Sequence, residues 1–554
     1  MASLLRQAEA AATRRPRLAL LLLCLCLFLP GFFSIPASDR DEARFAAASR
    51  QMVETGDYIR IRIGEDERNK KPVGIHWAQA AAVHALELVG IPARAEIFAY
   101  RIPSALGAML AVLATFAFGR RLVGRRAALL AAAMLAGCMV LVVEAHIAKT
   151  DAALLATIAA AMGLFGMAYL RPEAFSARQA AAFWGVLGLS LLIKGPIGPM
   201  VALLCAVTLA IIDRGAPWLS ALRPAWGVAL MLGIAAPWLI AIGIATEGRF
   251  FAEAVGHDML GKVGQGQEAH WGPPGYYLAT FFIAAFPAAV LALPALRQAW
   301  AERSLPATRF LLAWIVPTWL LFEAVATKLP HYTLPAYPAL MLLIARWTLD
   351  PLRLPPAGWM AWAMRLVPAA VAVGLAAAAI AAPLAAAGHL AWPALLAAPP
   401  ALLVAWLTWR EYGAGRYARG AVLSVMAAIP LYAAVLEATL PRLTPIWVAP
   451  RLEASLARHA PGLAPERFAI LGHPEPSVQF HIGGMIRKLH DGAAAAAFLA
   501  EGPGRIAAVE GRFLDSFLAE AAGRGLALQQ LDRIEGYNYS RGRRIVLTLY
   551  GVAP

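Results

Sequence analysis

The chain has 554 residues, of which 60% are hydrophobic and only 15% charged, with a mean hydropathy of +0.62. That composition excludes an ordinary soluble globular protein and points to a polytopic membrane protein. The net charge of +15 could serve nucleic acid, anionic lipid or loop topology, and where the charges fall decides among them.

Arg6, Arg14, Arg15 and Arg17 precede the first apolar run, 18–35. A positive n-region followed by "IPAS" also suits a cleaved signal peptide. The run is long enough to span, however, so a retained helix is expected. At about twenty residues per span, about thirteen runs qualify. They lie near 18–35, 101–119, 127–144, 151–170, 178–195, 198–213, 225–246, 275–296, 309–326, 332–349, 362–385, 391–409 and 419–440. Lys194, Gly195 and Pro196 interrupt the pair 178–213.

Every second loop is basic: "GRRLVGRR" (119–126), "DRGAPWLSALR" (213–223), "RQAWAERSLPATR" (297–309) and "REYGAGRYARG" (410–420). Lys and Arg in short loops mark the cytoplasmic side, so the N-terminus is expected there too. Much of the charge is then a topology signal. No stripe of Arg interleaved with aromatics occurs, so nucleic acid is not an expected partner. Cys24, Cys26, Cys138 and Cys205 all lie inside apolar runs, without disulfide or zinc spacing.

The alternate loops face outward: 36–100, 144–151, the Lys194 turn, 247–274, 327–331 and the tail 441–554. The first holds two amphipathic helical stretches, near 41–56 and 75–89, with Gly56 as a C-cap. Asp41, Glu42 and Arg44 fall in the first turn, where carboxylates suit the helix dipole. Capping and catalysis are equal readings for Asp41. The tail mixes short apolar runs, "RFAILGH" and "GRIAAVEG", with a helical stretch (512–524) and a final strand "RRIVLTLY". It reads as a small α/β domain following a transmembrane domain that covers 1–440.

The outer loops also collect ionisable residues. "EAHIAKTDAALL" carries His146, Lys149 and Asp151, "LLIKGPIG" carries Lys194, and "TKLPHYTLPAYP" carries Lys328, His331 and Tyr332. A lone Lys at a helix end usually snorkels to headgroups. Several helix breaks on one face instead argue for a shared polar cavity. Asp39-Arg40-Asp41 is a literal Asp-x-Asp. As a metal motif that spacing is weak. Lys and Arg can neutralise a phosphate without a metal, so no cofactor is required and a divalent metal is unsupported.

The stretch "SDRDEARFAAASRQMVETGDYIRIRIGEDERNKKPVGIHW" resembles the bacterial polyprenyl-phosphate-sugar glycosyltransferases related to protein O-mannosyltransferases. Within them it is most similar to the aminoarabinose transferases of lipid A. "AKTDAALL", "LLIKGPIG", "HWGPPGYYLATFFIAAFP", "TKLPHYTLPAYPAL" and "GYNYSRGRRIVLTLY" follow in family order. Where the family often has Tyr-Phe-Glu before Lys71-Pro72, this chain has Arg68-Asn69-Lys70. The family's glutamate therefore has no counterpart, and the site is more basic.

The resemblance implies a mainly α, C-type glycosyltransferase fold in the bacterial inner membrane, with a periplasmic active site and a periplasmic C-terminal α/β domain. The implied reaction moves 4-amino-4-deoxy-L-arabinose from undecaprenyl phosphate to a lipid A phosphate, by a chain expected to be a monomer among membrane lipids. A polyprenyl-phosphate-mannose-dependent mannosyltransferase is the alternative, and a lipid flippase or transporter a second. Asp41 and Asp151 are the expected catalytic carboxylates. Arg44, Lys71, Lys194 and Lys328 are expected at the donor phosphate. His257, Lys262, His270, His331 and Tyr332 are expected at the substrates, the first three in a Gly-rich loop suited to gating.

Overall fold

A computed structural model describes residues 12–254, 256, 261 and 272–553. The chain is mainly helical, with a mixed sheet near its C-terminus. Among the described residues seven helices are long and apolar enough to cross a membrane: Ile97–Leu122, Asp151–Leu170, Pro224–Ala245, Pro306–Ala324, Gly358–Ala387, Trp392–Gly413 and Tyr417–Arg442. The pair Arg125–Gly137 and Met139–Ala145 makes an eighth if counted as one span bent by 63°.

Of the about thirteen apolar runs expected to span, seven or eight are thus long unbroken helices among the described residues. Apolar runs that read as spans contain helix breakers. The run at 18–35 yields only the 13-residue helix Pro16–Phe28, which ends ahead of Pro30 and Gly31. The run at 275–296 divides into Tyr276–Ala284, a 3-10 turn Ala289–Leu291 and Ala292–Ala301. The run at 332–349 starts as a 3-10 turn, Pro330–Ala336, and leaves 13 residues of α-helix, Tyr337–Leu349. Ala177–Lys194 and Ile197–Ile212 have 18 and 16 residues and are not among the seven.

The bend at Cys138 is paid for by other backbone and side-chain groups. Met139 N–H donates to Phe286 O at 3.2 Å. The Tyr432 hydroxyl donates to Gly137 O at 3.0 Å. Inside an apolar bundle such freed groups must find partners, and here they do. The bend leads into the turn 146–150, which precedes the helix Asp151–Leu170.

The loop 36–100 forms the helices Asp41–Thr55 and Gly74–Leu88, close to the expected stretches. Gly56 is the left-handed C-cap, with φ 71°. Ser49 Oγ joins the two helices, donating to Gln79 Oε1 at 2.6 Å and standing 2.8 Å from His76 Nδ1. A two-residue hairpin connects them, β1 (Arg62–Ile63) against β2 (Asp66–Glu67). A Cβ on Gly74 would stand 2.7 Å from Leu192 O, so only glycine lets this helix lie against the end of Ala177–Lys194. Gly107 does the same for Ile97–Leu122, where a Cβ would meet Ala153 N at 2.6 Å.

The C-terminal part is the expected α/β unit. Its strands are β3 (Phe468–Leu471), β4 (Arg487–Leu489), β5 (Ile506–Glu510), β6 (Leu528–Asn538) and β7 (Arg543–Val552), in the order β4-β3-β5-β7-β6. The β3–β4 and β3–β5 pairs are parallel, while β7 runs antiparallel to both β5 and β6. Every residue of β3 and β5 is buried, as expected of central strands covered on both faces. The sheet unit touches the first loop. Arg40 donates to Ser540 O at 2.6 Å, Asp39 N–H donates to the Tyr539 hydroxyl, and Lys488 pairs with Asp66 at 3.1 Å.

Candidate active site

Three helix termini and one turn bring ionisable groups together. Asp151 opens one helix, Lys194 closes another, His331 sits in the 3-10 turn 330–336, and Glu144 lies at the end of Met139–Ala145. Lys194 Nζ is 2.5 Å from Asp151 Oδ1. Lys149 Nζ is 3.0 Å from Glu144 Oε1, 3.8 Å from Asp151 Oδ2 and 3.4 Å from His331 Nδ1. The His331 ring bridges both acids, at 3.4 Å to Glu144 and 3.6 Å to Asp151. All five side chains are buried or nearly so, at 3–14% exposure. With His331 neutral, two lysines face two acidic side chains, so each buried cation has an acid beside it.

Asp41 stands at the open edge of this cluster, with its side chain 49% exposed and 4.0 Å from Arg44. Partial loss of water pushes its carboxyl up. Lys149, Arg68 and Arg44 more than offset this and hold it below the usual carboxylate range. Lys149 acts most strongly of the cations, so it links the buried acids to Asp41. Burial would also depress the Lys149 ammonium, but Glu144 and Asp151 outweigh it and hold that group above the usual lysine range. Burial depresses His331 to about 3, against the pull of Asp151, so it is neutral at physiological pH.

A second buried pair fixes where Asp41 sits. The Arg101 guanidinium donates to Glu42 Oε1 at 2.8 Å and Oε2 at 3.1 Å, and both side chains are 1% exposed. Arg101 also donates to the carbonyls of Phe32, Ile35 and Pro36. Glu42 accepts in turn from Ala148 N–H at 3.1 Å and from Ser38. One carboxylate thus ties the helix bearing Asp41 to the turn bearing Lys149. Just ahead of Asp41, Arg40 has φ 67°, a conformation that non-glycine residues rarely adopt. Its bond to Ser540 O helps hold it there.

Of the residues expected from sequence, Asp151, Lys194, His331 and Asp41 come together, with Arg44 beside Asp41. Tyr332 lies under Lys194, its ring centroid 5.5 Å from Nζ. Lys71 occupies the turn before Gly74–Leu88, whose first residue packs on Leu192, two residues from Lys194. Lys328 is differently employed. Its buried ammonium donates to the carbonyls of Glu323 at 2.7 Å and Val325 at 2.9 Å, closing the helix Pro306–Ala324. His257, Lys262 and His270 lie outside the described residues. Among the described residues no group of three or more His, Cys, Asp or Glu side chains is placed to hold a metal.

Sequence reading did not single out Glu144 or Arg101. Each is an ionisable residue within or beside an apolar run, and such a residue needs a partner. That signal was present in "VVEAHIAKTD" and "YRIPSALG". What was missing was the partner, which lies far away in sequence for Arg101.

Comparison with known proteins bears out the resemblance read from the sequence. The family model for dolichyl-phosphate-mannose-protein mannosyltransferases matches residues 70–240. An undecaprenyl phosphate-alpha-4-amino-4-deoxy-L-arabinose arabinosyl transferase of Pectobacterium carotovorum is 27% identical over 312 residues, 55% of this chain and 54% of that protein. The protein of the same name from Erwinia tasmaniensis is 29% identical over 334 residues, 58% of each chain. This chain thus matches little more than half the length of these relatives. The crystal structure of ArnT from Cupriavidus metallidurans bound to undecaprenyl phosphate superimposes with a TM-score of 0.74 at 19% identity, covering 95% of this chain and 96% of that one. Its apo form gives 0.73 at 20% identity. The fold is that of ArnT, in line with the expected C-type glycosyltransferase fold.

Proposed function

We propose that this multi-pass membrane protein is a glycosyltransferase that takes a sugar from a polyprenyl-phosphate carrier. In its specific form the reading is transfer of 4-amino-4-deoxy-L-arabinose from undecaprenyl phosphate to a lipid A phosphate, on the periplasmic side of the inner membrane. The observation that carries it is the convergence of Asp41, Asp151 and Lys194 at helix ends within a fold shared with ArnT. The named relatives are arabinosyl transferases.

The chemistry follows from the charges. The bond from the anomeric carbon to the phosphate oxygen breaks, and negative charge grows on the departing lipid phosphate. Lys194, with Arg44 and Lys71 from the first loop, supplies positive charge for that oxygen. Tyr332 and His331 line the same place. Asp151 holds Lys194 in position through their short contact. An acceptor phosphate is already a nucleophile and needs no strong base. Asp41 then orients the acceptor and steadies positive charge developing on the sugar. A hydroxyl acceptor would instead use Asp41, ionised at neutral pH, as general base.

The match to a mannosyltransferase family model supports a second reading, a polyprenyl-phosphate-mannose donor with a protein or glycolipid acceptor. A transporter is disfavoured, because the sequence carries no half-to-half symmetry of the kind that transporter folds repeat. Mass spectrometry of lipid A from cells with and without the protein tests the specific form. Aminoarabinose added to lipid A phosphate supports it. Unmodified lipid A with confirmed expression rejects the lipid A acceptor, and mannosylated protein would then support the second reading.

A further inference from the structure

Lys149 has more acidic neighbours than any one contact needs. Its Nζ lies 3.0 Å from Glu144, 3.8 Å from Asp151 and 3.4 Å from the His331 ring, and its charge is also felt strongly at half-exposed Asp41. It therefore occupies the ground between the buried acids and the open edge of the site. Lys194 approaches the same Asp151 through the other carboxylate oxygen. The two ammonium groups flank one carboxylate, an arrangement that can grip one phosphate between them once it arrives.

Glu144 differs from the other acids. It is 2% exposed, and its Oε2 has no hydrogen-bond partner among the described residues. A buried carboxylate oxygen left without a partner is costly. Its ionic contacts are with Lys149 and His331. Its contact with Lys149 sets a negative charge 3.0 Å from that cation.

We infer that Lys149 is a further phosphate-binding cation of this site, and that Glu144 is a positioning residue acting as its counterweight, limiting how tightly the phosphate of the spent carrier is held. This rests on the polyprenyl-phosphate reading above. With Glu144 present, Lys149 is held at 3.0 Å, and an arriving phosphate must compete with that contact. Without it, the two lysines present net positive charge and release of the lipid phosphate slows.

The experiment measures affinity of the purified full chain, in lipid nanodiscs, for undecaprenyl phosphate and for undecaprenol, which shares the tail and lacks the phosphate. Lys149→Met weakens undecaprenyl phosphate binding about tenfold or more and leaves undecaprenol unchanged. Glu144→Gln tightens undecaprenyl phosphate about threefold or more, with kcat and KM for sugar transfer falling together. A merely structural role would move both variants the same way. The double variant Lys149→Met/Glu144→Gln leaves neither charge buried alone and is expected to weaken binding as the lysine change does. Changes of the same sign in the two single variants, or no change in folded protein, overturn the inference. A wild-type chain that binds the two lipids equally would instead remove the carrier-phosphate reading itself.

Discussion

Replacing Arg101 by leucine removes the guanidinium that donates five hydrogen bonds, two to Glu42 and three to the carbonyls of Phe32, Ile35 and Pro36. The Glu42 carboxylate would remain at 1% exposure with no cation. Breaking a buried pair by removing one partner costs about 3–5 kcal/mol, because the other charge is left uncompensated. Glu42 keeps its bonds from Ala148 and Ser38, which places the expected cost toward the lower end of that range. Denaturant unfolding in mild detergent measures it, and sugar transfer is measured alongside. Transfer should fall even in the folded fraction, since Glu42 ties the helix of Asp41 to the turn of Lys149. The double variant Arg101→Leu/Glu42→Leu replaces both charges by apolar groups and should recover most of the lost stability. A single variant costing less than about 1 kcal/mol, the range of an exposed pair, would refute the reasoning. So would a double variant no better than the single.

Three other outcomes are expected. His331 and Asp41 both titrate well below neutrality, so neither gives the activity profile a limb between about pH 5 and 8. The profiles of wild type and His331→Gln should share one shape, and a limb near pH 6.5 that the variant abolishes would contradict this. Burial raises Asp39 to about 6 against a usual 3.8, with Glu475 adding to it and the Ser477 hydrogen bond opposing. The protonated form is thus favoured by folding. Its contribution is full below the unfolded value and is lost as pH rises through about 6. Asp39→Asn should therefore melt above wild type at pH 7, with the gap closing by pH 4; a gap that widens on acidification would reverse the sign. Gly74→Ala puts a Cβ 2.7 Å from Leu192 O. Overpacking of this kind costs about 1–3 kcal/mol, and transfer should drop as the Lys71 turn moves from Lys194. Full activity would show that the close approach is not needed.

The two helices of the first loop, the Gly56 cap and the sheet-bearing tail were legible because each rests on local pattern: apolar period, a glycine after the last turn, alternating strands. Which apolar runs form unbroken helices was not, because hydropathy sums a run without regard to where Pro or Gly divides it, as in 275–296 and 332–349. Asp151 and Lys194 stood out in the sequence because each marks a helix end next to a break. Lys328 gives the same sequence signal but closes its own helix with carbonyl contacts. Sequence cannot separate a lysine that caps from one that faces a substrate, since the difference is which way the ammonium turns. Glu42 and Arg101 are 59 residues apart, and no local pattern pairs them.

If Asp41, Asp151, Lys194 and their neighbours work as one site, a polyprenyl phosphate is released there as its sugar moves. The direct measurement incubates the purified chain with an undecaprenyl-phosphate-linked aminoarabinose and lipid A, then quantifies undecaprenyl phosphate and modified lipid A together. Wild type should yield the two in equal amounts. Asp41→Asn and Lys194→Met, folded and inserted, should each yield less than about one hundredth as much, the scale of losing one positioned electrostatic group. Wild-type turnover that persists undiminished in both variants would contradict the account.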